Sequence, residues 1–217
     1  VYGHYKHALQ EAHPGMYEKL LSAHALVPPT GARESWKASI PEAFHYNTAI
    51  AEKTIDFLKK RDTDRPFFVW CSFPDPHHPY SPPAPYCDQY DPKDIQFMPA
   101  RRMGEFDDLP PYFRACREGK RKTGGLAGDL RETTEAHYRE ILAHTYGMIS
   151  MVDHNVGKVM HTLEELSLLE NTLVLFFSDH GDLMGDHGLI NKGPFLFRGL
   201  VRVPTIWRLP GKDQAHT

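Results

Sequence analysis

A long helical pattern that leads into a short apolar run most constrains the fold of this 217-residue chain. Over residues 134–167, apolar side chains recur at steps of three and four residues, as on one face of a long helix. The run 172–177 follows, and its continuous apolar character predicts a buried strand. An earlier segment has the same order, with a predicted helix over 41–60 and a predicted buried strand over 67–72. This alternation is typical of an α/β fold with a mostly parallel sheet.

The remaining segments fit around those two units. Residues 1–25 predict short helical pieces broken at 13–15, and the prolines of 73–85 predict a stiff, irregular loop. Residues 201–208 predict a further strand, which Pro204 restricts to an edge or irregular position. The pattern therefore indicates one domain over 1–217, with core portions at 44–92 and 133–211 and a loop-rich excursion at 93–132.

Composition excludes several classes of partner. The formal net charge is −3, so no polybasic surface points to nucleic acid or an anionic membrane. No apolar run approaches the length of a membrane-spanning helix. Cys71, Cys87 and Cys116 stand at scattered spacing, which makes no zinc pattern and favours a reducing, cytoplasmic setting over a periplasmic or secreted one. Nothing in the sequence indicates an oligomeric state.

Candidate metal ligands follow the second predicted strand directly. Asp179 and His180 lie where residues 172–177 give way to a loop with glycines at 181, 185 and 188. Ligands in open α/β sheets bind beyond the carboxyl ends of strands. A carboxylate and an imidazole at a strand end can converge on one ion, and the glycines allow the backbone to turn tightly. An isolated Asp-His pair would be an ordinary turn, but this setting favours a metal site.

Three further groups of residues are candidates for a chemical or structural role in the site. Lys192, a dozen residues beyond the pair, can face a tetrahedral anion or stabilise a leaving oxygen. Among the prolines of 74–79, one of His77 and His78 is expected to be functional, either donating to an anionic oxygen or protonating a leaving group, and the other structural. For Asp186 and His187, a structural role is expected ahead of direct catalysis.

In combination, these motifs resemble the sulfatase family. The resemblance rests on Ser178-Asp179-His180-Gly181-Asp182, Gly185-Asp186-His187-Gly188, Lys192-Gly193, Arg202-Val203-Pro204, and Pro66-Phe67-Phe68-Val69 leading to Pro76-His77-His78-Pro79. It covers roughly residues 44–211 and is weakest between 93 and 132. The resemblance implies an alkaline-phosphatase-like α/β/α sandwich and metal-dependent hydrolysis of sulfate esters, with a small-molecule ester as the substrate. Hydrolysis of phosphonate monoesters or phosphodiesters, and a non-catalytic module, are the alternatives.

The resemblance also implies roles for single residues. Asp179 and His180 would bind a divalent cation, with Ca²⁺ expected ahead of Mn²⁺ or Zn²⁺. Lys192 would contact the sulfate, and His77 would face the ester oxygen, because it directly follows Pro76. Specificity is expected from the loop-rich segment at 80–132, whose candidate cleft residues are Tyr80, Tyr86, Tyr90, Arg101, Arg102 and Arg114.

Two features of the family are missing from the chain. Sulfatases carry a Cys/Ser-x-Pro-x-Arg segment whose first residue becomes the formylglycine nucleophile, and no such segment occurs here. The paired aspartates of an early strand are also absent. We therefore expect an internal portion of a longer enzyme, with the nucleophile outside this chain. Since an oxygen-preferring cation takes roughly six to eight ligands, the isolated chain is expected to be inactive and to bind metal weakly.

Overall fold

The computed structural model describes residues 2–97, 99, 107–120 and 131–211. Five α-helices and two strands are found in these residues, joined by loops that include short 3₁₀ turns. The helices are α1 (Tyr2–Ala12), α2 (Tyr46–Lys60), α3 (Pro111–Arg117), α4 (Glu135–Glu165) and α5 (Arg198–Val201), and the strands are β1 (Val174–Phe177) and β2 (Thr205–Arg208).

The long helix α4 confirms the helix predicted over 134–167. It begins at a reciprocal cap, in which the Thr134 hydroxyl accepts from the His137 backbone N–H and His137 Nδ1 accepts from the Thr134 N–H. These bonds satisfy donors that the first helical turn would otherwise leave free. His137 Nε2 lies 2.7 Å from the Thr30 carbonyl oxygen. The same histidine therefore caps the helix and ties it to the N-terminal part of the chain.

The main hydrophobic core lies between α4 and the segment 183–200. Ile141 and Met148 of α4 are fully buried there. Packed with them are side chains of the glycine-rich loop and its continuation, namely Leu183, Leu189, Ile190, Phe195 and Leu200. The loop that carries the predicted metal ligands and Lys192 is thus held by burial of its apolar residues against a rigid helix.

The earlier helical predictions also hold. The pieces expected in 1–25 are α1 and the 3₁₀ turns Tyr17–Leu20 and Ser22–His24. The helix expected over 41–60 is a 3₁₀ turn, Glu42–Phe44, followed by α2. The expected excursion at 93–132 contains α3, and Pro111 stands at its first turn, where a missing N–H costs nothing.

The sheet differs from the predicted one. β1 and β2 pair antiparallel, with Val174 opposite Arg208 and Phe177 opposite Thr205. The strand predicted at 201–208 therefore forms only after Pro204, as that residue's missing donor requires. The parallel pairing expected from helix–strand alternation is not formed by the described residues, which contribute only these two strands.

Two predictions of buried strands are wrong. Residues 67–72 form no strand, and Phe68 and Trp70 are 84% and 70% exposed. β1 is a strand, but Leu175, Phe176 and Phe177 are each more than 40% exposed. An apolar run stays buried only where another layer covers it, and no described residues cover this face. Trp70 packs edge-on against Phe177, with 6.0 Å between ring centroids, so both runs share one apolar surface.

Two further observations concern the described part of the chain. All three cysteines are free thiols, with Cys87 and Cys116 buried and Cys71 half-buried. Within the described ranges, no helix combines the length and apolar character needed to cross a membrane.

Candidate functional site

The candidate site begins where β1 ends, and a close backbone approach fixes its first turn. The Gly181 N–H donates to the Leu200 carbonyl oxygen over 2.8 Å. A Cβ at Gly181 would lie 1.9 Å from the Gly199 carbonyl oxygen, so no other residue fits without a backbone shift. Gly185 and Gly188, in contrast, are needed for their left-handed backbone, with φ of +103° and +66°. The predicted role of these glycines in tight turning is confirmed at the last two.

Asp179 and His180 are placed so that both could bind one ion. His180 Nδ1 lies 2.8 Å from the Gly181 carbonyl oxygen, to which it donates. The proton on Nδ1 leaves Nε2 with the lone pair, which is the form that binds a metal. Nε2 is 3.7 Å from Asp179 Oδ2, and the Asp179 side chain is 84% exposed. A carboxylate oxygen and an imidazole nitrogen therefore face the same open space.

Lys192 lies near this pair. Partial burial lowers the pKa of the Lys192 ammonium, and the negative charges of Asp182 and Asp179 oppose that change. The carboxylates are thus close enough to act on the lysine electrostatically. Asp179 and Lys192 are therefore within electrostatic reach of each other, and the part of the loop that carries Asp179, His180 and Lys192 is referred to as the corner.

The two histidines of the proline-rich loop occupy different environments. The His77 ring is exposed, and its Nδ1 lies 2.5 Å from the His78 carbonyl oxygen. The His78 ring is half-buried and packs on His77, with centroids 4.1 Å apart. Burial lowers the pKa of His78, and the charges of His77 and Lys192 lower it further. Burial and the neighbouring positive charges thus favour the neutral form of the His78 ring, while the His77 ring is exposed.

Tyr80 carries a contact network that the sequence did not reveal. This residue is fully buried, so it does not line a specificity cleft as expected. Its hydroxyl oxygen lies 2.6 Å from Asn191 Oδ1 and 2.9 Å from Asp182 Oδ2. Desolvation raises the pKa of Tyr80, and the Asp182 charge raises it further. Asn191 Nδ2 donates to Glu34 Oε2 over 3.1 Å. In the sequence, the only sign of this network is a tyrosine followed by a polar residue within a proline-rich loop. That pattern is too weak to predict the network.

The other specificity candidates stand apart from this corner. Tyr86 donates to Glu42 Oε1, the Tyr90 and Ser150 hydroxyls pair over 2.8 Å, and Arg114 pairs with Asp107. Arg101 and Arg102 lie outside the described residues.

The two residues with an expected structural role lie beside the core. The His187 ring stacks on Phe197 at 3.8 Å between centroids. A Cβ on Gly199 would meet the Asp186 carboxylate at 3.0 Å, so Asp186 approaches α5 closely. Both contacts hold the loop against the segment 197–199, as a structural role requires.

A divalent cation fits the Asp179–His180 pair in part. The donor set is one exposed carboxylate, a ligand that suits Ca²⁺ and Mn²⁺, and one oriented imidazole, a ligand that suits Zn²⁺. Within the described ranges, no group of three or more His, Cys, Asp or Glu residues could hold a metal ion. The pair therefore supplies two ligands, and other ligands must complete the coordination.

The fold defines a class. The incomplete α/β domain has the fold of alkaline-phosphatase-like hydrolases, as its similarity to a solved phosphonate monoester hydrolase structure shows. The chain belongs to the sulfatase family, whose model matches residues 9–217.

Similar proteins agree with this assignment. The chain is 34% identical to an arylsulfatase of Clostridium perfringens over 170 residues, covering 78% of this chain and 33% of that protein. It is 32% identical to the multifunctional alkaline phosphatase superfamily protein PehA of Trinickia caryophylli, covering 81% of this chain and 34% of that protein. The crystal structure of a phosphonate monoester hydrolase of Agrobacterium radiobacter aligns with a TM-score of 0.73 at 28% identity, covering 95% of this chain and 40% of that one.

The chain matches only part of each of those relatives. The chain spans about a third of the length of the curated relatives that it matches. The expectation of a portion of a longer enzyme is consistent with this coverage, and the α/β fold class is confirmed by the structural similarity.

Proposed function

We propose that this chain supplies part of the active site of a metal-dependent sulfate ester hydrolase. The observation that carries the proposal is that the loop of His77 and His78 is joined to the loop of Asp179, His180 and Lys192, because the Tyr80 hydroxyl contacts Asp182 and Asn191. A cation bound by the Asp179–His180 pair and a lysine ammonium beside it would suit a singly or doubly charged anionic ester, because each offsets negative charge.

Lys192 is the group that stabilises charge on the ester oxygens. Its ammonium is partly withdrawn from water, and water screens a charge less in such a position. Asp179 and His180 would hold the cation, for which we propose Ca²⁺, and a bound cation would polarise the anionic oxygens of the ester. The formylglycine nucleophile that the family resemblance implies is expected outside this chain.

His77 is the group proposed to protonate the leaving oxygen. Its Nδ1 is held by the His78 carbonyl oxygen, so the exposed Nε2 has a fixed direction. The neutral, half-buried His78 supports the His77 ring from behind. One histidine thus has the chemical role and the other the structural one.

Variants of the intact protein test these roles with an aryl sulfate as substrate. Lys192→Ala is expected to lower kcat about 10²–10³-fold, and His77→Ala about 10²-fold or more. Lys60→Ala, which removes an exposed lysine of α2, is the matched control and is expected to leave kcat unchanged. A larger loss for His78→Ala than for His77→Ala would contradict the assignment of the two histidines.

Metal binding is tested separately by calorimetric titration of Ca²⁺, Mn²⁺ and Zn²⁺ into the metal-free intact protein. Asp179→Asn is expected to weaken binding, while Asp56→Asn, an exposed carboxylate of α2, is expected to have no effect. Equal affinity in Asp179→Asn and the parent protein would remove the proposed ligand.

Phosphonate monoester hydrolysis is the second candidate function. The structural similarity to the Agrobacterium radiobacter phosphonate monoester hydrolase, which covers 95% of this chain, favours it. Comparing kcat/KM for an aryl sulfate, a phosphonate monoester and a phosphodiester separates the two, and a dominant phosphonate activity would displace the first proposal. No turnover of any of these esters by the metal-loaded intact protein would instead support a non-catalytic module.

A further inference from the structure

Tyr80 joins the two loops that carry the proposed functional groups. It lies three residues after His77, and its hydroxyl reaches Asp182 and Asn191, which are 102 and 111 residues further along the chain. The side chain is fully buried. The Asp182 and Asn191 oxygens are both acceptors, and the single hydroxyl proton is shared between them, so one atom of Tyr80 contacts two residues of the segment 178–197.

Asn191 transmits that connection to Lys192, its neighbour in sequence. Asn191 is 1% exposed, and its backbone is left-handed with φ of +61°. Asparagine tolerates this conformation better than most residues, but it remains an uncommon one that surrounding contacts must hold. Those contacts are the Tyr80 hydroxyl, the Glu34 carboxylate and the Leu183 N–H, which donates to the Asn191 carbonyl oxygen over 2.9 Å. The direction in which the chain leaves Asn191 sets where Lys192 projects.

Tyr80 is itself held from both sides of its main chain. Its N–H donates to the Glu34 carbonyl oxygen, and its carbonyl oxygen accepts from the Trp36 N–H over 3.1 Å. Between those residues, the buried Ser35 hydroxyl pairs with His144 Nδ1 over 2.8 Å, which anchors this stretch to α4. The hydroxyl of Tyr80 is therefore a rigid reference point and not an adaptable one.

From these contacts we infer that Tyr80 is a positioning residue, which holds Lys192 in register with the His77 loop through Asn191. Tyr80 does not face the open corner, so it acts on the ester only through Lys192. Displacement of a functional group by about 1 Å can cost about 10²-fold in rate. Removal of the hydroxyl is therefore expected to lower kcat while substrate binding by the other groups persists.

The kinetic part of this inference rests on the proposed function, and a double-mutant cycle in the intact protein tests it. Tyr80→Phe is expected to lower kcat about tenfold with KM changed less than about twofold. In a Lys192→Ala background, the same change is expected to cost nothing further, because residues acting through one another are non-additive. Tyr5→Phe removes a hydroxyl that donates to the Phe44 carbonyl oxygen and serves as the matched control.

A spectroscopic measurement tests the geometry without any turnover. Lysines of the intact protein are dimethylated with ¹³C-formaldehyde, and the Lys192 resonance is identified by its loss in Lys192→Arg. Tyr80→Phe is expected to shift or broaden that resonance, and Tyr5→Phe to leave it in place. Asn191→Gly, which keeps the left-handed backbone accessible but removes the amide, is expected to act as Tyr80→Phe does. Asn191→Gly provides the test if Tyr80→Phe does not fold.

The possible results separate the two proposals. A shifted Lys192 resonance in a protein that hydrolyses no ester would support the positioning role and overturn the proposed function. An active protein whose Lys192 resonance is the same in Tyr80→Phe and Asn191→Gly as in the parent would overturn the positioning role alone. So would an equal loss of kcat from Tyr80→Phe with and without Lys192.

Discussion

Replacing Asp75 by asparagine is expected to change how the free energy of unfolding depends on pH. The Asp75 carboxylate is buried and accepts hydrogen bonds from the Tyr46 hydroxyl and from Asn47 Nδ2. Desolvation raises the pKa of Asp75 to about 7, although both hydrogen bonds favour the ionised form. The folded protein therefore binds this proton more tightly than the unfolded chain does, whose carboxyl has a pKa of 3.8.

The sign and size of the effect follow from that difference. A raised pKa gives a stabilisation that is complete below about pH 4 and is lost as pH rises toward 7. About 3 pKa units correspond to at most about 4 kcal/mol. Asparagine cannot ionise, so the unfolding free energy of Asp75→Asn minus that of the parent should rise by up to about 4 kcal/mol between pH 4 and pH 8.

Urea unfolding followed by tryptophan fluorescence, in steps of half a pH unit, measures this difference. Asp56→Asn removes an exposed carboxylate and controls for the loss of charge alone. The reasoning is refuted if the difference between Asp75→Asn and the parent stays constant across the range, since Asp75 would then be ionised throughout.

Two other changes test the packing and the buried histidine. Gly181→Ala places a Cβ 1.9 Å from a carbonyl oxygen and is expected to lower the unfolding free energy by about 1–3 kcal/mol, measured by thermal melting. Gly157→Ala, a helix-interior site with nothing within 4 Å, is expected to raise it by up to about 1 kcal/mol; equal effects at both positions would contradict the close approach. Burial lowers the pKa of His144 to about 4, so stability is complete above pH 6.5 and is lost as pH falls toward 4. His144→Gln is expected to flatten that loss in acid unfolding curves, and an unchanged slope would show that another group causes it.

Local patterns in the sequence predicted the helices well. The three- and four-residue spacing of apolar side chains over 134–167 is a property of the segment itself, and α4 occupies 135–165. β2 likewise begins only at Thr205, because Pro204 has no backbone N–H to donate to a neighbouring strand. That Asp179, His180 and Lys192 share one loop is visible in the sequence, because they lie within fourteen positions of one another, and their roles in binding stay a prediction.

What depends on distant partners could not be predicted in the same way. The apolar run 67–72 is chemically suited to a buried strand, but its burial is decided by other segments, and Phe68 is exposed. Tyr80 resembles a cleft aromatic within its proline-rich loop. Its buried hydroxyl acquires a role only from Asp182 and Asn191, more than a hundred residues away. No periodicity in the sequence encodes such a pairing.

The exposed sheet has a consequence for handling the chain. In the described residues, β1 and β2 pair only with each other, so each strand keeps one edge of N–H and C=O groups that no other strand occupies. Unprotected edges of apolar strands template the addition of further strands. Phe176, Ile206 and Trp207 of these strands are exposed. The isolated 217-residue chain is therefore expected to aggregate through β1 and β2 as its concentration rises. Variants with charged substitutions on the same strands are expected to aggregate more slowly.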